Sequence, residues 1–369
     1  MNKIKHYVWI NLTFVTLFVI LVPTLIVMVF GHSLPISLAE INVKNPTISS
    51  SNLQNTIHQD LTSKPINLGW ISGTSNGLSK YSSYNELNVI SPALLTINDD
   101  YHLNISEHLP STSNQQIWPR VVMKTDSSPS IHTFLTDENK VDQLISDLVK
   151  SAQLQKWSGI NLDIENVGAI DRDNFSNFIQ KLSHTLHSSN ILLSIDISPD
   201  HKGTENINTP FDHEIIGIFC DYVIFMGYDQ HWSTDPIPGP ITSLDWLTSN
   251  LQEMIRTGIP SQKMILGLPT FTRIWQLDSN GKIVNDPAYS ISHVESLLNQ
   301  KHVPTTWDST LGEYTSSFVE NNKRNKVWLT TTKSLKLYLS LIPQMHLGGS
   351  AFWNLNLISK NDWNQLFSN

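Results

Sequence analysis

From Ile66 onward the chain repeats one pattern: a short apolar or alternating run, then a longer stretch in which apolar residues recur every third or fourth position. The short runs are INLGWIS, LNVISPALLTI, QQIWPRVVM, SGINLDIEN, ILLSIDIS, DYVIFMGYD, KMILGLPTF and GGSAFWNL. Their length and β-rich composition predict strands. Helical patterns separate many of them. In DENKVDQLISDLVKSAQL, residues Val141, Leu144, Ile145, Leu148 and Val149 share one face. In DRDNFSNFIQKLSHTLHSS, Phe175, Phe178, Ile179 and Leu182 do the same behind an acidic first turn. SLDWLTSNLQEMIRTG ends at Gly258, a residue suited to a helix C-terminus.

Strands alternating with helices predict a parallel sheet, and eight of them predict an α/β fold of the (β/α)8 TIM-barrel type over residues 65–369. An open doubly wound sheet is the alternative, but no Gly-rich phosphate loop follows any strand. Residues 276–326 are too many for a simple crossover and carry their own turn signals, DSNG and NDP. They predict a small α+β insertion between the seventh and eighth strands.

The N-terminal region reads differently. Residues 7–30, YVWINLTFVTLFVILVPTLIVMVF, hold no charged side chain and are long enough to span a bilayer core. Lys3 and Lys5 precede them, which orients the remainder of the chain outside the cytoplasm. The expectation is a membrane anchor over residues 1–30; a cleaved signal peptide is the alternative. Residues 31–64 are rich in Ser, Asn, Thr and Pro and read as a flexible tether.

Composition narrows the chemistry. The 369 residues carry a net charge of −8, with no basic run and no aromatic–basic interleaving, which argues against a nucleic-acid partner. Cys220 is the single cysteine, so no intramolecular disulfide forms, and its apolar setting predicts a core residue. No Cys/His cluster has metal-ligand spacing, and neither a metal nor another cofactor is expected. His231 beside Trp232 predicts a rim or structural histidine. A monomer is expected.

The candidate chemistry lies in SGINLDIENVG. On an extended chain Ile160, Leu162 and Ile164 point one way, and Asn161, Asp163 and Glu165 the other. Parallel strands are covered on both faces, so the polar row projects into the barrel interior. An unpaired buried carboxylate costs several kcal/mol, and no sequence-adjacent cation stands ready to pair. A salt-bridged plug or an exposed edge strand would explain the row structurally. A site would explain it better, because barrel sites lie at the C-terminal ends of strands and Glu165 is predicted to end this one.

Residues two apart on a strand lie about 6–7 Å apart at Cα. Two carboxyls so close cannot both ionise cheaply, so one pKa rises. Glu165, the outer one, is placed to donate that proton to a leaving oxygen as a general acid. Asp163 lies on the same side of any substrate and is a poor nucleophile. It would suit a partner role, orienting a 2-acetamido group that attacks the anomeric carbon itself.

SGINLDIE resembles the D-G-x-D-x-D-x-E signature of family-18 glycoside hydrolases, the chitinase-like TIM barrels. FMGYDQHW resembles the M-x-Y-D segment of their sixth strand, KMILGLPTFTRIW their seventh, and GGSAFWNLNL their eighth with its active-site Trp. The likeness runs from about Ile66 to Phe367 and is nearest the bacterial branch linked to spore-cortex and cell-wall lysis. The resemblance implies substrate-assisted retaining hydrolysis. It implies Glu165 as acid/base, Asp163 on the acetamido group and Tyr228 on its carbonyl. Met226 and Asp229 would line the pocket, and Trp353 would floor the reacting sugar. Asn161, where the family often has Asp, would still hydrogen-bond Asp163.

Two departures stand out. Ser158 replaces the first Asp of the signature, at a position of the outward parity. VWLTTTKS, at 327–334, lacks the acidic residues usual in the related branch. Trp70 and Trp118 end or interrupt early strands, and core and sugar-binding roles are equally open to them. The resulting expectation is a hydrolase of β-1,4-linked N-acetylglucosamine glycans, peptidoglycan first. A glycan-binding barrel without turnover and a chitinase are the alternatives.

Overall fold

The structure, a computed structural model, describes residues 64–72, 78–106, 114–199 and 209–368. The expected membrane segment and all of the tether except Lys64 lie outside these residues. Among the described residues, no helix is long and apolar enough to cross a membrane.

All eight expected strands form. They are Ile66–Ile71, a second in two pieces (Val89–Pro92 and Leu95–Ile97), and a third in two pieces (Gln116–Ile117 and Arg120–Met123). Then come Gly159–Asp163, Leu192–Ile197, Tyr222–Met226, Met264–Pro269 and Gly349–Trp353. Each pairs in parallel with the next, and the eighth pairs with the first, Ile66 opposite Gly349. The second and third strands pair twice. Their first pieces join at Val89–Gln116 and their second at Leu95–Val121, with breaks at Ala93–Leu94 and Trp118–Pro119. The hydrogen-bonded order therefore returns on itself, a TIM-like α/β arrangement.

Two apolar layers follow from strand parity. Ile160, Leu162 and Ile164 join the large cluster that includes helix residues Leu144, Leu148, Phe175, Phe178, Ile179 and Leu182. Leu68, Trp70, Val89, Trp118, Ile224, Ile265 and Ala351 form a separate cluster inside the ring. The helices Glu138–Gln155, Arg172–His187 and Leu244–Arg256 occupy the segments predicted to be helical. Asp137 starts the first of these by accepting hydrogen bonds from the backbone of Asn139 and Lys140.

The insertion spans Phe271–Leu329 rather than 276–326. Strands Phe271–Leu277, Ile283–Asn285, Thr306–Asp308, Glu313–Glu320 and Lys323–Leu329 build an antiparallel sheet; Ala288–Ser290 also pairs with the first of them, and helix Ile291–Gln300 follows. It starts earlier because the chain stays extended after Pro269: one barrel strand runs almost directly into the first insertion strand, with Thr270 alone between them. Thr270 then donates its backbone N–H to the Trp353 carbonyl and its hydroxyl to the Asn354 carbonyl, at 2.9 and 2.7 Å. These two bonds lock the end of the eighth strand to the seventh.

Candidate active site

The fourth strand ends at Asp163, so Glu165 stands two residues beyond it rather than closing it. The row still projects as parity requires. Asn161 is fully buried inside the ring and Asp163 is 5 % exposed, while Glu165 reaches the open mouth. Ser158 lies on the outward parity, and its buried hydroxyl has no hydrogen-bond partner.

Asp163 does have a cation partner. Arg120, on the third strand, places Nη1 at 3.1 Å from Asp163 Oδ2. Its guanidinium also lies over the Trp353 ring, 4.6 Å from the centroid. This partner is not sequence-adjacent: it comes from the neighbouring strand, which sequence proximity could not indicate. Asn161 does not hydrogen-bond Asp163 either. Its four partners are Trp70, Ser91, Ser194 and Asp196. Asp163 Oδ2 is held by Arg120, and its Oδ1 is buried without a hydrogen-bond partner among the described residues.

The electrostatics follow from this crowding. Burial pushes the Asp163 carboxyl up, Arg120 opposes the push, and Asp126 adds to it. Glu165 is exposed as a whole residue, yet its carboxyl sits among protein atoms that displace water. That desolvation first, then the charges of Asp163, Asp126 and Asp229 against Arg120, push it up to about 7. Asp126 is held nearby because Asn166 donates its side-chain amide to the Asp126 carboxylate at 3.1 Å. Asp196 lies well above the carboxylate range through burial and the charge of Asp163.

The expected site residues divide by depth. Tyr228 packs edge-on to Trp70, with ring centroids 6.4 Å apart, and Trp353 packs on Trp70 at 6.0 Å. Among the described residues the Tyr228 hydroxyl has no hydrogen-bond partner; burial raises its pKa, and the charges of Asp196, Asp163 and Glu165 add to the rise. Met226 ends the sixth strand, 8 % exposed, and Asp229 follows with a left-handed backbone at φ 57°. Burial raises the Asp229 carboxyl, and Arg273 from the insertion opposes the rise.

Trp70 and Trp118 are both interior. Trp70 is 1 % exposed and donates its indole N–H to Asn161, so it supports the row from beneath. Trp118 has no exposed surface; it stacks on Tyr222 at 5.4 Å, a partner at the start of the sixth strand. Gly159 lets it pass, because a Cβ there would come within 2.8 Å of the indole. Trp118 is core, with no face left for a ligand.

Arg120, Asp126, Ser91, Ser194 and Asp196 were not singled out from sequence. Asp196 carried a signal: ILLSIDIS alternates like SGINLDIEN, placing Ser194 and Asp196 on the inward parity. Among the described residues, no group of three or more His, Cys, Asp or Glu side chains is arranged to hold a metal ion. His231 bonds Asp235 Oδ2 at 3.0 Å and shapes the loop after the sixth strand. That loop leaves Trp232 half-exposed.

The parallel α/β ring thus carries Asp163 at the end of one strand, Glu165 just past it, and Tyr228 and Trp353 packed on Trp70. The chain belongs to glycosyl hydrolases family 18, whose profile matches residues 107–357. It is 26 % identical over 236 residues to the uncharacterized glycosylase YvbX of Bacillus subtilis, covering 62 % of this chain and 66 % of that protein. It is 26 % identical over 242 residues to the cortical fragment-lytic enzyme of Bacillus anthracis, covering 64 % of this chain but only 55 % of that protein. The fold matches a chitinase from Chromobacterium violaceum at a TM-score of 0.72, with 22 % identity over 83 % of this chain and 100 % of the other. It matches the Bacillus megaterium spore cortex-lytic enzyme SleL at 0.70, with 19 % identity over 82 % of this chain and 73 % of the other.

Proposed function

We propose that this chain hydrolyses β-1,4-linked glycans containing N-acetylglucosamine, peptidoglycan foremost, with retention at the anomeric carbon. The observation that carries the reading is the Glu165 carboxyl just past a strand end, pushed up to about 7 by burial and then by the charge of Asp163, which Arg120 holds at 3.1 Å. Such a group is protonated near neutral pH and can serve first as acid, then as base.

In the first step Glu165 gives its proton to the glycosidic oxygen as the bond to the anomeric carbon breaks. The oxygen of the sugar's own acetamido group attacks that carbon and closes a cationic ring. Asp163 accepts the acetamido N–H and offsets the positive charge, and the Tyr228 hydroxyl donates to the acetamido oxygen. Trp353 supplies the apolar floor. In the second step Glu165, now a carboxylate, takes a proton from water, and the resulting hydroxide equivalent reopens the ring on the face the leaving group left. Glu165 ends protonated.

Relatives named for cortical-fragment and spore-cortex lysis favour peptidoglycan, and the structural likeness to a chitinase keeps chitin as the second reading. The apolar segment 7–30 favours a membrane-held protein whose barrel works outside the cytoplasm. Release of reducing ends from purified cell walls tests the reaction. Mass spectrometry of the products identifies the bond cut. Equal rates for the native protein and Glu165→Gln reject the assignment. Binding of N-acetylglucosamine oligomers with no turnover over long incubation favours a lectin instead.

A further inference from the structure

Glu165 is carried by the segment that leaves the sheet after Asp163, so something other than the sheet must fix it. The third strand runs alongside, with Arg120 opposite Asn161 and Val122 opposite Asp163. Past both strand ends, residues 126–128 meet Asn166, the neighbour of Glu165. Asp126 accepts the Asn166 backbone N–H at Oδ1, 3.3 Å away, and the Asn166 side-chain amide at Oδ2, 3.1 Å away. The same amide donates to the Asp126 carbonyl at 3.2 Å, and the Asn166 carbonyl accepts from the Ser128 hydroxyl at 2.8 Å. Backbone and side chain of Asn166 are both held. The acid-bearing segment is thus anchored on its outer side by this clasp and on its inner side by the strand.

The clasp also delivers charge. Both Asp126 oxygens accept from N–H groups, as an ionised carboxyl does. Among the described residues no cation lies at ion-pair distance from Asp126, and Lys124, two residues away, is paired with Asp99 at 2.6 Å. The charged and titratable groups that face Glu165 are Asp163, Asp126, Asp229, Asp196, Tyr228 and the cation Arg120, which Asp163 already holds.

We infer that Asp126 is a positioning residue for the reaction: its clasp on Asn166 fixes the segment that carries Glu165, and its carboxylate sets an unneutralised charge at the mouth. The inference rests on the proposed hydrolysis. A negative charge there disfavours ionised Glu165 and so keeps its proton available near neutral pH. The fixed backbone keeps that proton within reach of the glycosidic oxygen, where a displacement of about 1 Å is costly.

The test compares the wild-type protein with D126N and N166A. Turnover of soluble N-acetylglucosamine oligomers and wall fragments is read as kcat, KM and pH profile at low and high salt, beside the melting temperature. An NMR titration follows the Glu165 carboxyl, assigned by its loss in E165Q. D126N keeps the side-chain shape and one acceptor for Asn166 but loses the charge. Its alkaline limb and its Glu165 titration are expected about 0.3–0.5 pH unit below wild type. Added salt is expected to lower the wild-type limb more than that of D126N, because the charge it screens is absent from the variant. N166A keeps the charge but loses both side-chain bonds to Asp126. Its kcat is expected to fall about fivefold or more, with KM within about threefold of wild type. Its melting temperature should stay near wild type, because these bonds are exposed to water.

A D126N limb and carboxyl titration that match wild type, or wild-type kcat in N166A, overturns the inference. If the wild-type protein turns over no glycan while the Glu165 titration still falls in D126N, the proposed reaction is rejected and the positioning role with it. Charge coupling at the mouth is then all that remains.

Discussion

Arg120 and Asp163 face each other across adjacent strands, Nη1 to Oδ2 at 3.1 Å, with the guanidinium lying over the ring of Trp353. One cation thus holds the acid that would orient the substrate and the aromatic that would floor it. Breaking a buried pair by removing one partner destabilises by about 3–5 kcal/mol, and Arg120 keeps some solvent contact, so the low end applies. Arg120→Met is expected to lose that stability in urea unfolding. It should also raise the Asp163 pKa further and lower kcat at neutral pH. Arg120→Lys should recover part of the stability but less of the rate, since an ammonium cannot both pair with the acid and stack on the ring. Unchanged unfolding and kcat in Arg120→Met would show the pair to be idle.

Glu165 carries a pKa of about 7, and its protonated form is the proposed acid. The activity should therefore fall as pH rises through about 7 in the kcat/KM profile. Glu165→Gln is expected to lose about 10²–10⁴ in kcat and keep the native fold by circular dichroism. A profile flat from pH 6 to pH 9 would remove Glu165 from the acid role.

Glu313 is a raised carboxyl outside the site. It is fully buried, accepts a hydrogen bond from Thr330 at 2.5 Å, and is pushed up to about 8 by burial. Its folded pKa exceeds the ordinary value, so its contribution to stability is fully present below about pH 4.5 and is lost as pH rises through about 8. The size is on the order of several kcal/mol. Melting temperature should decline across that window. Glu313→Gln should flatten the decline, because the neutral amide keeps an acceptor for Thr330. A variant that melts with the wild-type pH dependence would rule out Glu313 as the source.

The tryptophans should separate. Trp118→Ala removes a fully buried ring and is expected to destabilise by about 3–5 kcal/mol, with KM little changed in the folded fraction. Trp353→Ala should leave stability closer to wild type and instead weaken binding of N-acetylglucosamine oligomers by calorimetry, because part of its surface faces the mouth. The reverse pattern would exchange their roles.

Tyr228→Phe isolates a single hydroxyl. That hydroxyl makes no hydrogen bond among the described residues, so stability should hold. The bond proposed to the acetamido oxygen carries developing charge, so kcat should drop by about 1.5–3 kcal/mol, roughly tenfold to a hundredfold. Wild-type kcat in this variant would leave the tyrosine as packing.

Local periodicity alone determined the eight strands, the outward face of Ile160, Leu162 and Ile164, and the inward row of Asn161, Asp163 and Glu165. Period two is a property of the extended backbone and needs no partner to be read. The insertion begins at Phe271, ahead of its turn signals, because strand pairing rather than a turn marks its edge. What stands beside the row was decided only by tertiary structure. Arg120 lies 43 residues from Asp163, and Asp196 lies 35 from Asn161. Strand register brings them together, and register depends on how the ring closes, which no local pattern along the chain encodes.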